Sequence, residues 1–269
     1  MAQLINNTPV KIIYHYTDVN GLIGLISNSF VWATHTGRLN DSSENAHGFN
    51  LVKSYVQNSS DRASKQLIEK VLLDFRSVDS YVTCYSTESD LLSQWRSYTG
   101  GNVGYSLGFE TKKMATLDDR MPPLEQVIYE VNKAKALINH LLMRIDKFLN
   151  HNLLGEVEEG YLLGMLQATL ASIACIIKHN KFEEEREYRQ IYQPGNTCLK
   201  LKHGFRNSKF GLTPYVEIGF LEKNKLPLKT ITIGPCQDFN QEQKALKILL
   251  VQQGYEQVEI IKSEIPLRV

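Results

Sequence analysis

The sequence predicts an α+β protein with a mixed, mostly antiparallel sheet, flanking helices and an inserted helical segment. Short runs rich in β-branched and aromatic residues alternate irregularly with stretches of helical periodicity, which is typical of this class. Residues 114–180 hold mainly leucine, isoleucine and alanine at helical spacing. No Gly-x-Gly-x-x-Gly follows a predicted strand, as it would in a doubly wound dinucleotide-binding sheet. We therefore expect one domain over residues 1–269, with 114–180 as a helical insertion.

The individual helices and strands are predicted from local composition and from the residues that begin or end them. The predicted strands share a β-branched or aromatic composition and lie at 11–16, 30–34, 81–86, 103–110, 185–192, 215–218, 229–234 and 258–263. The predicted helices share an apolar stripe and lie at 21–28, 46–56, 65–75, 88–98 and 241–253, with two or three more within 114–179. Asp18 is placed to cap the first helix, and Gly254 to end the last one. Glycine, asparagine, aspartate and serine crowd 34–45, which predicts a loop.

Composition narrows the class of protein. Apolar residues make up 42% of the 269 residues and charged residues 22%, which is ordinary for a globular chain. A net charge of +1 gives no overall attraction to nucleic acid or to an anionic membrane. The start of the chain does not resemble a secretory signal, and no apolar run approaches the roughly 20 residues that span a bilayer. The four cysteines are scattered without a Cys-x-x-Cys pair, so we expect a cytoplasmic protein with neither zinc nor disulfides.

The first polar cluster is a histidine between two tyrosines at the end of the first predicted strand. His15 is followed by Tyr16 and Thr17, and side chains alternate along a strand, so His15 faces away from Tyr14 and Tyr16. A histidine in this position can hold a ribose hydroxyl or act as an acid or base. The alternative is a half-buried histidine bonded to a neighbouring carbonyl.

The second cluster is the polar loop after the second strand. Arg38, Asn40, Asp41 and Glu44 fall within seven residues, and the loop can project them into a cleft. The structural alternative is a helix cap by Asp41 or Ser42, with Glu44 completing a capping box. Too few ligands are visible to predict a metal ion here.

The third cluster lies in the strand–helix passage in the middle of the chain. Tyr85 and Ser86 end a strand, and Trp95 and Tyr98 follow on a helix next to a Gly-Gly turn. Aromatic rings near such a turn can stack on a planar ring such as nicotinamide or adenine. Core packing is the alternative for Trp95.

The fourth cluster is a charged run that leads into a late strand. If the run is extended, Glu185, Glu187 and Arg189 share one face, and Arg189 offsets the repulsion between the two carboxylates. A carboxylate at the rim of a sheet can stabilise a developing oxocarbenium ion or orient a hydroxyl. A solvated charge run is the structural alternative.

Taken in order, these segments resemble a bacterial family of domains of unknown function, number 2971. The resemblance covers most of the chain, and five segments in sequence carry it. They are YHYT at 14–17, ATHTGRLNDSSE at 33–44, TCYSTESDLLSQWRSYTGGNVGYSLGF at 83–109, EREYR at 185–189 and ITIGP at 231–235.

A looser resemblance links the pattern to the ADP-ribosyltransferase superfamily, with its histidine, aromatic and glutamate on successive strands. The resemblance implies an ADP-ribosyltransferase-like fold, in which His15 holds the NAD ribose and Tyr85 or Trp95 stacks on nicotinamide. It makes Glu187 the catalytic carboxylate, with Glu185 as second choice. The remaining residues that it places around NAD are Tyr16, Thr17, Arg38, Asn40, Glu44, Ser86, Tyr98 and Arg189.

The leading hypothesis is therefore a cytoplasmic ADP-ribosyltransferase or NAD glycohydrolase, acting as a toxin or phage-defence effector. NAD would be its substrate, without a metal, and its partners would be this nucleotide and an unspecified acceptor or inhibitor macromolecule. The sequence leaves the oligomeric state open, a homo-oligomer included.

Two alternatives come from other classes of protein. A non-catalytic module would bind a nucleotide or a protein through the same cleft without turnover. A metal-dependent nuclease would need Asp41, Glu44, Glu185 and Glu187 to converge on one divalent cation.

Overall fold

A computed structural model describes residues 10–39, 42–58, 65–74, 78–99, 102–116, 124–150, 159–194, 201–208, 211–219 and 225–266. Within these ranges the strands form one sheet. They are β1 Ile12–Asp18, β2 Phe30–His35, β3 Tyr81–Ser86, β4 Gly104–Glu110, β5 Leu124–Gln126, β6 Glu187–Tyr192, β7 His203–Ser208, β8 Gly211–Gly219, β9 Leu228–Ile233 and β10 Glu259–Lys262.

The described helices are interspersed with these strands along the chain. They are α1 Val19–Asn28, α2 Ser42–Gln57, α3 Lys65–Asp74, α4 Leu92–Tyr98, α5 Thr111–Thr116, α6 Val131–Asn150, α7 Glu159–Cys175 and α8 Phe239–Gln252, with 3₁₀ turns at Thr36–Arg38 and Asn180–Glu185. Asp18 caps α1 as predicted, because its carboxylate accepts the backbone N–H of Gly21 at 2.8 Å.

The sheet is mixed and mostly antiparallel, which confirms that part of the predicted fold class. Its main path runs β10-β9-β4-β1-β3-β2-β8-β7, and β6 joins β3 to β5. Among the described strands, β9 and β10 form the one parallel pair. Both ends of the main path, β10 and β7, are edges, so the sheet is open.

The sheet divides at β3. One edge of β3 pairs with β6 along its whole length, from Tyr81 opposite Tyr192 to Ser86 opposite Glu187. The other edge meets β1 only at Ser86 and β2 only at Tyr81 and Val82. A wedge therefore opens between β1 and β2, and residues 83–85 have no ladder partner on that side within the described strands.

Two apolar cores stabilise the fold. The main core packs α1 and α8 against the sheet, with fully buried residues such as Ile13, Leu107 and Ile231. The second core is helical and joins α2 and α3 to α6 and α7, around residues such as Val52 and Leu142. The predicted helical segment 114–180 supplies α6 and α7, but it also holds the short strand β5.

The structure differs from the predicted elements at three places. The sequence analysis missed β5, because three residues carry too little pattern, and β7, whose residues alternate between exposed and half-buried at the sheet edge. The predicted strand from residue 185 begins instead at Glu187. Arg186 has a left-handed backbone with φ of 44°, so Glu185 ends a 3₁₀ turn and is not in the strand.

No helix in the described ranges is both long and apolar enough to cross a membrane. Cys84, Cys175 and Cys236 are free thiols, and Cys198 lies outside the described residues.

A close crossing of α2 and α7 provides a first testable prediction. A Cβ at Gly48 would lie 2.1 Å from the carbonyl oxygen of Ala174, a backbone atom that cannot move alone. We expect Gly48→Ala to lower the free energy of unfolding by about 2 kcal/mol, as overpacked cores do. The matched control is Gly164→Ala in α7, where a Cβ meets nothing within 4 Å and should raise stability by up to about 1 kcal/mol. Urea unfolding measures both, and equal effects would contradict the close crossing.

Candidate functional site

A small hollow opens on the sheet where β1, β3 and β6 lie side by side. Residues from these strands, from α4 and from the turn before β6 line it. They are Tyr14, Tyr16, Cys84, Tyr85, Ser86, Gln94, Tyr98, Glu185 and Glu187. We call it the central hollow. It draws on the front, middle and back of the chain.

Strand register explains why these residues meet. Tyr14 on β1 lies opposite Ser86 on β3, and Ser86 lies opposite Glu187 on β6. Residues directly opposite each other on neighbouring strands point to the same face of a sheet. Tyr14, Ser86 and Glu187 therefore form one row across three strands at the floor of the hollow.

Glu187 is held by two buried cations. Arg189 donates from Nε to Oε1 at 2.8 Å and from Nη2 to Oε2 at 2.9 Å, and Lys178 Nζ donates to Oε2 at 3.2 Å. Lys178 also binds Glu185 at 2.8 Å, and Arg189 donates to the carbonyl of Cys175 at 2.6 Å. Burial raises the pKa of Glu187, but Arg189 and Lys178 outweigh it and hold that pKa at about 2. The carboxylate is thus ionised and fixed.

Cys84 and Ser86 complete the floor without being reactive groups. Burial and the neighbouring Glu187 raise the pKa of Cys84 well above its usual value, so the side chain is a protonated thiol. The Ser86 hydroxyl donates to the carbonyl of Glu185 at 2.8 Å and accepts from the N–H of Glu88 at 3.1 Å. Ser86 therefore fixes the turn that presents Glu185.

His15 does not reach the central hollow. It points to the opposite face of β1 from Tyr14 and Tyr16, where its ring packs against Tyr85 with centroids 5.7 Å apart. Its Nδ1 pairs with the carbonyl oxygen of Cys84 at 2.9 Å, within the wedge between β1 and β2. Burial lowers the pKa of His15, so the ring is neutral. The structure thus places His15 as the carbonyl-bonded histidine of the alternative interpretation, and Thr17 shares that face.

The predicted stacking aromatics lie in the core. Trp95 is 1% exposed, donates to Asp90 at 2.7 Å and meets Tyr16 edge-on at 4.7 Å. Tyr85 borders the hollow, but its hydroxyl donates to Gln190 at 2.8 Å and its ring contacts Phe109. Both residues are at most 2% exposed. The half-buried rings of the hollow are Tyr14 and Tyr98.

The other predicted residues are divided between the hollow and elsewhere. Tyr16 lines the hollow, but its hydroxyl already binds the carbonyl of Glu88 and the N–H of Leu91. Arg38 ends an exposed 3₁₀ turn and is not a lining residue. Asn40, Asp41 and the side chain of Glu44 lie outside the described residues.

The sequence analysis assigned no role to Lys178 or Gln94. Lys178 is 4% exposed and follows the apolar run of α7, and a lone lysine directly after such a run is a signal of a buried partner. Gln94 precedes the noted Trp95 and lies one turn before Tyr98 on α4, with 6% of its surface exposed. The four-residue spacing between Gln94 and Tyr98 places both on one helix face, and this spacing could have identified Gln94 from the sequence.

The two carboxylates of the central hollow meet at a side-chain cation. In the described ranges no three or more histidine, cysteine, aspartate and glutamate side chains gather as a set that could hold a metal ion. Glu185 and Glu187 do converge, but the cation between them is the ammonium group of Lys178.

The buried carboxylate predicts a specific loss of stability in acid. Because the pKa of Glu187 is about 2 in the folded protein and near 4.5 without its partners, the unfolded chain binds the proton first. This stabilisation is complete above about pH 5 and is lost as the pH falls towards 2. It amounts to the order of 3 kcal/mol. Urea unfolding of wild type and Glu187→Gln from pH 7 to 2.5 should show the difference between them shrinking.

The control for this experiment is Glu183→Gln, the same change at an exposed position two residues before Glu185. Its difference from wild type should stay small at every pH. A gap between wild type and Glu187→Gln that is constant with pH would show that Glu187 is not the ionised partner of Arg189.

Comparison with known proteins bears on the same part of the chain. No curated protein and no solved structure is significantly similar to this chain. One family does match, over residues 94–190, which run from α4 to β6 and include Gln94, Lys178, Glu185 and Glu187. The family resemblance drawn from the sequence is thereby confirmed for this region, which matches the family described as Protein of unknown function (DUF2971).

Proposed function

We propose that the central hollow cleaves the nicotinamide–ribose bond of NAD, so that the protein is an ADP-ribosyltransferase or NAD glycohydrolase. One observation carries the proposal. Tyr14, Ser86 and Glu187 form a row across three adjacent strands, and the carboxylate in that row is ionised and held in place. A fixed carboxylate beside aromatic rings is what this reaction needs, since the sugar becomes cationic as its bond to nitrogen breaks.

The chemistry balances without a metal or a redox group. The bond between the ribose carbon and the pyridinium nitrogen breaks, and its electron pair stays on the nitrogen, so neutral nicotinamide leaves. The remaining oxocarbenium ion is attacked by water or by a nucleophile of an acceptor, which then releases a proton. Glu187 stabilises the positive charge on the sugar while it develops.

The proposal distributes the roles differently from the sequence hypothesis. Tyr14 takes the place on β1 that His15 was expected to fill, because Tyr14 faces the hollow. Glu187 has its tightest contacts with Arg189, whereas the bond from Lys178 is longer at 3.2 Å. A ribose hydroxyl therefore replaces the Lys178 bond most readily. Glu185 stands at the mouth, where its half-buried side chain meets the ligand first.

The hollow must widen before it can hold a nicotinamide ring. Its cavity volume is about 10 Å³, which is near the room that one ordered water needs. Tyr98 ends the short helix α4, and Glu185 ends a 3₁₀ turn, so both can shift without breaking a strand. Movement of these two side chains opens the hollow while the row on β1, β3 and β6 stays fixed.

The direct test is to incubate the purified protein with NAD and to quantify free nicotinamide by liquid chromatography. Mass spectrometry of the same sample separates free ADP-ribose, the product of water, from ADP-ribose attached to protein. Glu183→Gln serves as the control, because this exposed carboxylate is not part of the hollow. Absence of nicotinamide release together with absence of NAD binding by calorimetry would end the proposal.

A second candidate is a non-catalytic module that binds a nucleotide through the same hollow. It is favoured by the fact that Arg189 and Lys178 already engage both carboxylate oxygens of Glu187. In that case Glu187 organises the floor and does not react. NAD binding without release of nicotinamide, and binding that Glu187→Gln leaves nearly intact, would identify this candidate.

A further inference from the structure

Gln94 is a mostly buried residue whose side-chain amide has no hydrogen bond to another described residue. It is 6% exposed, and its side chain lines the central hollow from α4. Among the described residues no hydrogen bond to its side-chain amide is found, whereas the neighbouring Trp95 has its donor satisfied by Asp90. The amide atoms of Gln94 are not among the fully buried atoms that lack a partner, so they are open to the hollow, where water or a ligand can bond to them.

The charged groups that line the hollow exclude an anionic ligand at this point. Glu185 and Glu187 are the charged residues of its lining, while Lys178 and Arg189 lie behind them and are not lining residues. A carboxylate or phosphate would approach two negative groups, and its attraction to the cations would be weakened by the groups already paired with them. A neutral or cationic group is favoured.

The aromatic side chains define the shape of the ligand. The rings of Tyr14 and Tyr98 are half-buried and line the hollow. Rings beside carboxylates attract a planar cation through the negative faces of their π systems. A primary amide then completes the match, because Gln94 has both a donor and an acceptor and can pair with another amide in two hydrogen bonds.

We propose that Gln94 is the residue that sets ligand specificity in the central hollow, by pairing with the amide of a planar aromatic head group and rejecting the corresponding carboxylate. The proposal rests on the proposed function, since the pyridinium ring of NAD carries such an amide. A carboxylate can accept from the N–H of Gln94 but offers no donor to its oxygen, and it brings in a repelled charge.

The experiment compares four probes: nicotinamide, nicotinic acid, benzamide and benzoate. Binding to wild type is measured by ligand-observed NMR and by calorimetry. We expect each amide to bind at least about tenfold more tightly than its acid, as hydrogen-bonding sites discriminate. In Gln94→Met, which keeps the length of the side chain without its polar atoms, this preference should disappear. Gln241→Met, on the exposed start of α8, is the matched control and should keep it.

The melting temperature of the ligand-free protein provides an independent test. Because Gln94 lacks a partner in the described structure, Gln94→Met should leave the melting temperature of the free protein unchanged or higher. A clear decrease would show that the amide has a structural partner, and it would overturn the proposal. Equal binding of amide and acid to wild type, or no binding of any probe at millimolar concentration, would also overturn it.

The results separate this proposal from the proposed function. Amide-selective binding that depends on Gln94, without release of nicotinamide from NAD, would keep the assignment of Gln94 and remove the catalytic activity. Release of nicotinamide by both wild type and Gln94→Met with the same KM for NAD would keep the activity and remove the role of Gln94.

Discussion

Replacing Arg189 by methionine is expected to lower the free energy of unfolding by about 3–5 kcal/mol. Arg189 is 2% exposed and provides two of the hydrogen bonds to Glu187 as well as the bond to the carbonyl of Cys175. Methionine fills similar space but leaves a buried carboxylate with only Lys178 as a charged partner. Chemical denaturation monitored by circular dichroism measures the change.

The matched control is Arg186→Met, three residues earlier in the chain. Arg186 pairs with Glu88 at the surface, and exposed pairs of this kind contribute at most about 1 kcal/mol. The double variant Arg189→Met with Glu187→Leu should recover part of the lost stability, because it removes the uncompensated charge. Similar effects of Arg189→Met and Arg186→Met would show that the buried network does not stabilise the fold.

Glu187→Gln is expected to reduce the release of nicotinamide from NAD by about 100- to 1000-fold, the effect of losing one preorganised electrostatic group. Glutamine keeps the shape and an acceptor oxygen, but it removes the charge that stabilises the oxocarbenium ion. The loss should fall on kcat, with a smaller change in KM, since the charge acts mainly on the transition state. Initial rates over a range of NAD concentrations measure both constants.

Glu185→Gln is the control variant that decides which of the two carboxylates is catalytic. The same chemical change is made two residues away, at the mouth of the hollow, and it removes a partner of Lys178. We expect a loss of about tenfold or less, because Glu185 ends a 3₁₀ turn and is not in the row across the strands. A larger loss in Glu185→Gln than in Glu187→Gln would reverse the assignment of the catalytic carboxylate.

The buried network also gives the helical segment a role in the hollow. Cys175 ends α7, and Lys178 follows three residues later, next to an isolated bridge between Ile128 and Ile177. Arg189 on β6 donates to the backbone carbonyl of Cys175, and Glu187 accepts a hydrogen bond from Lys178. The end of α7 thus brings a cation to the floor of a site built on the sheet.

Much of the fold follows from the sequence because periodicity is a local property. The strands at β1, β3 and β4, the helix α8 and the cap at Asp18 were all predicted from composition and spacing over a few residues. The cluster at 185–189 was identified as a polar group leading into a buried strand, and Glu187 does line the hollow. The expectation that side chains alternate also placed His15 opposite Tyr14 and Tyr16.

The sequence could not show which side chains of β1 lie on the face of the sheet that carries Glu187. Alternation states that His15 and Tyr14 point to opposite sides, but only the register of β1 against β3 and β6 decides that Tyr14 shares the side of Glu187. The local sequence around Trp95 is the same whether its ring stacks on a ligand or fills a core. Its environment depends on contacts with Asp90 and with Tyr16.

The sequence by itself therefore determined the class of fold, the position of most elements and the charged strand that carries Glu187. The tertiary structure decided which residues meet: Tyr14 with Ser86 and Glu187, Lys178 between two carboxylates, and Gln94 open to the hollow. The physical reason is the distance along the chain over which each kind of interaction acts. Helices and strands are set by neighbours in sequence, whereas burial, charge pairing and register depend on contacts between residues far apart in the chain, such as Ser29 and Tyr255, which are 226 positions apart.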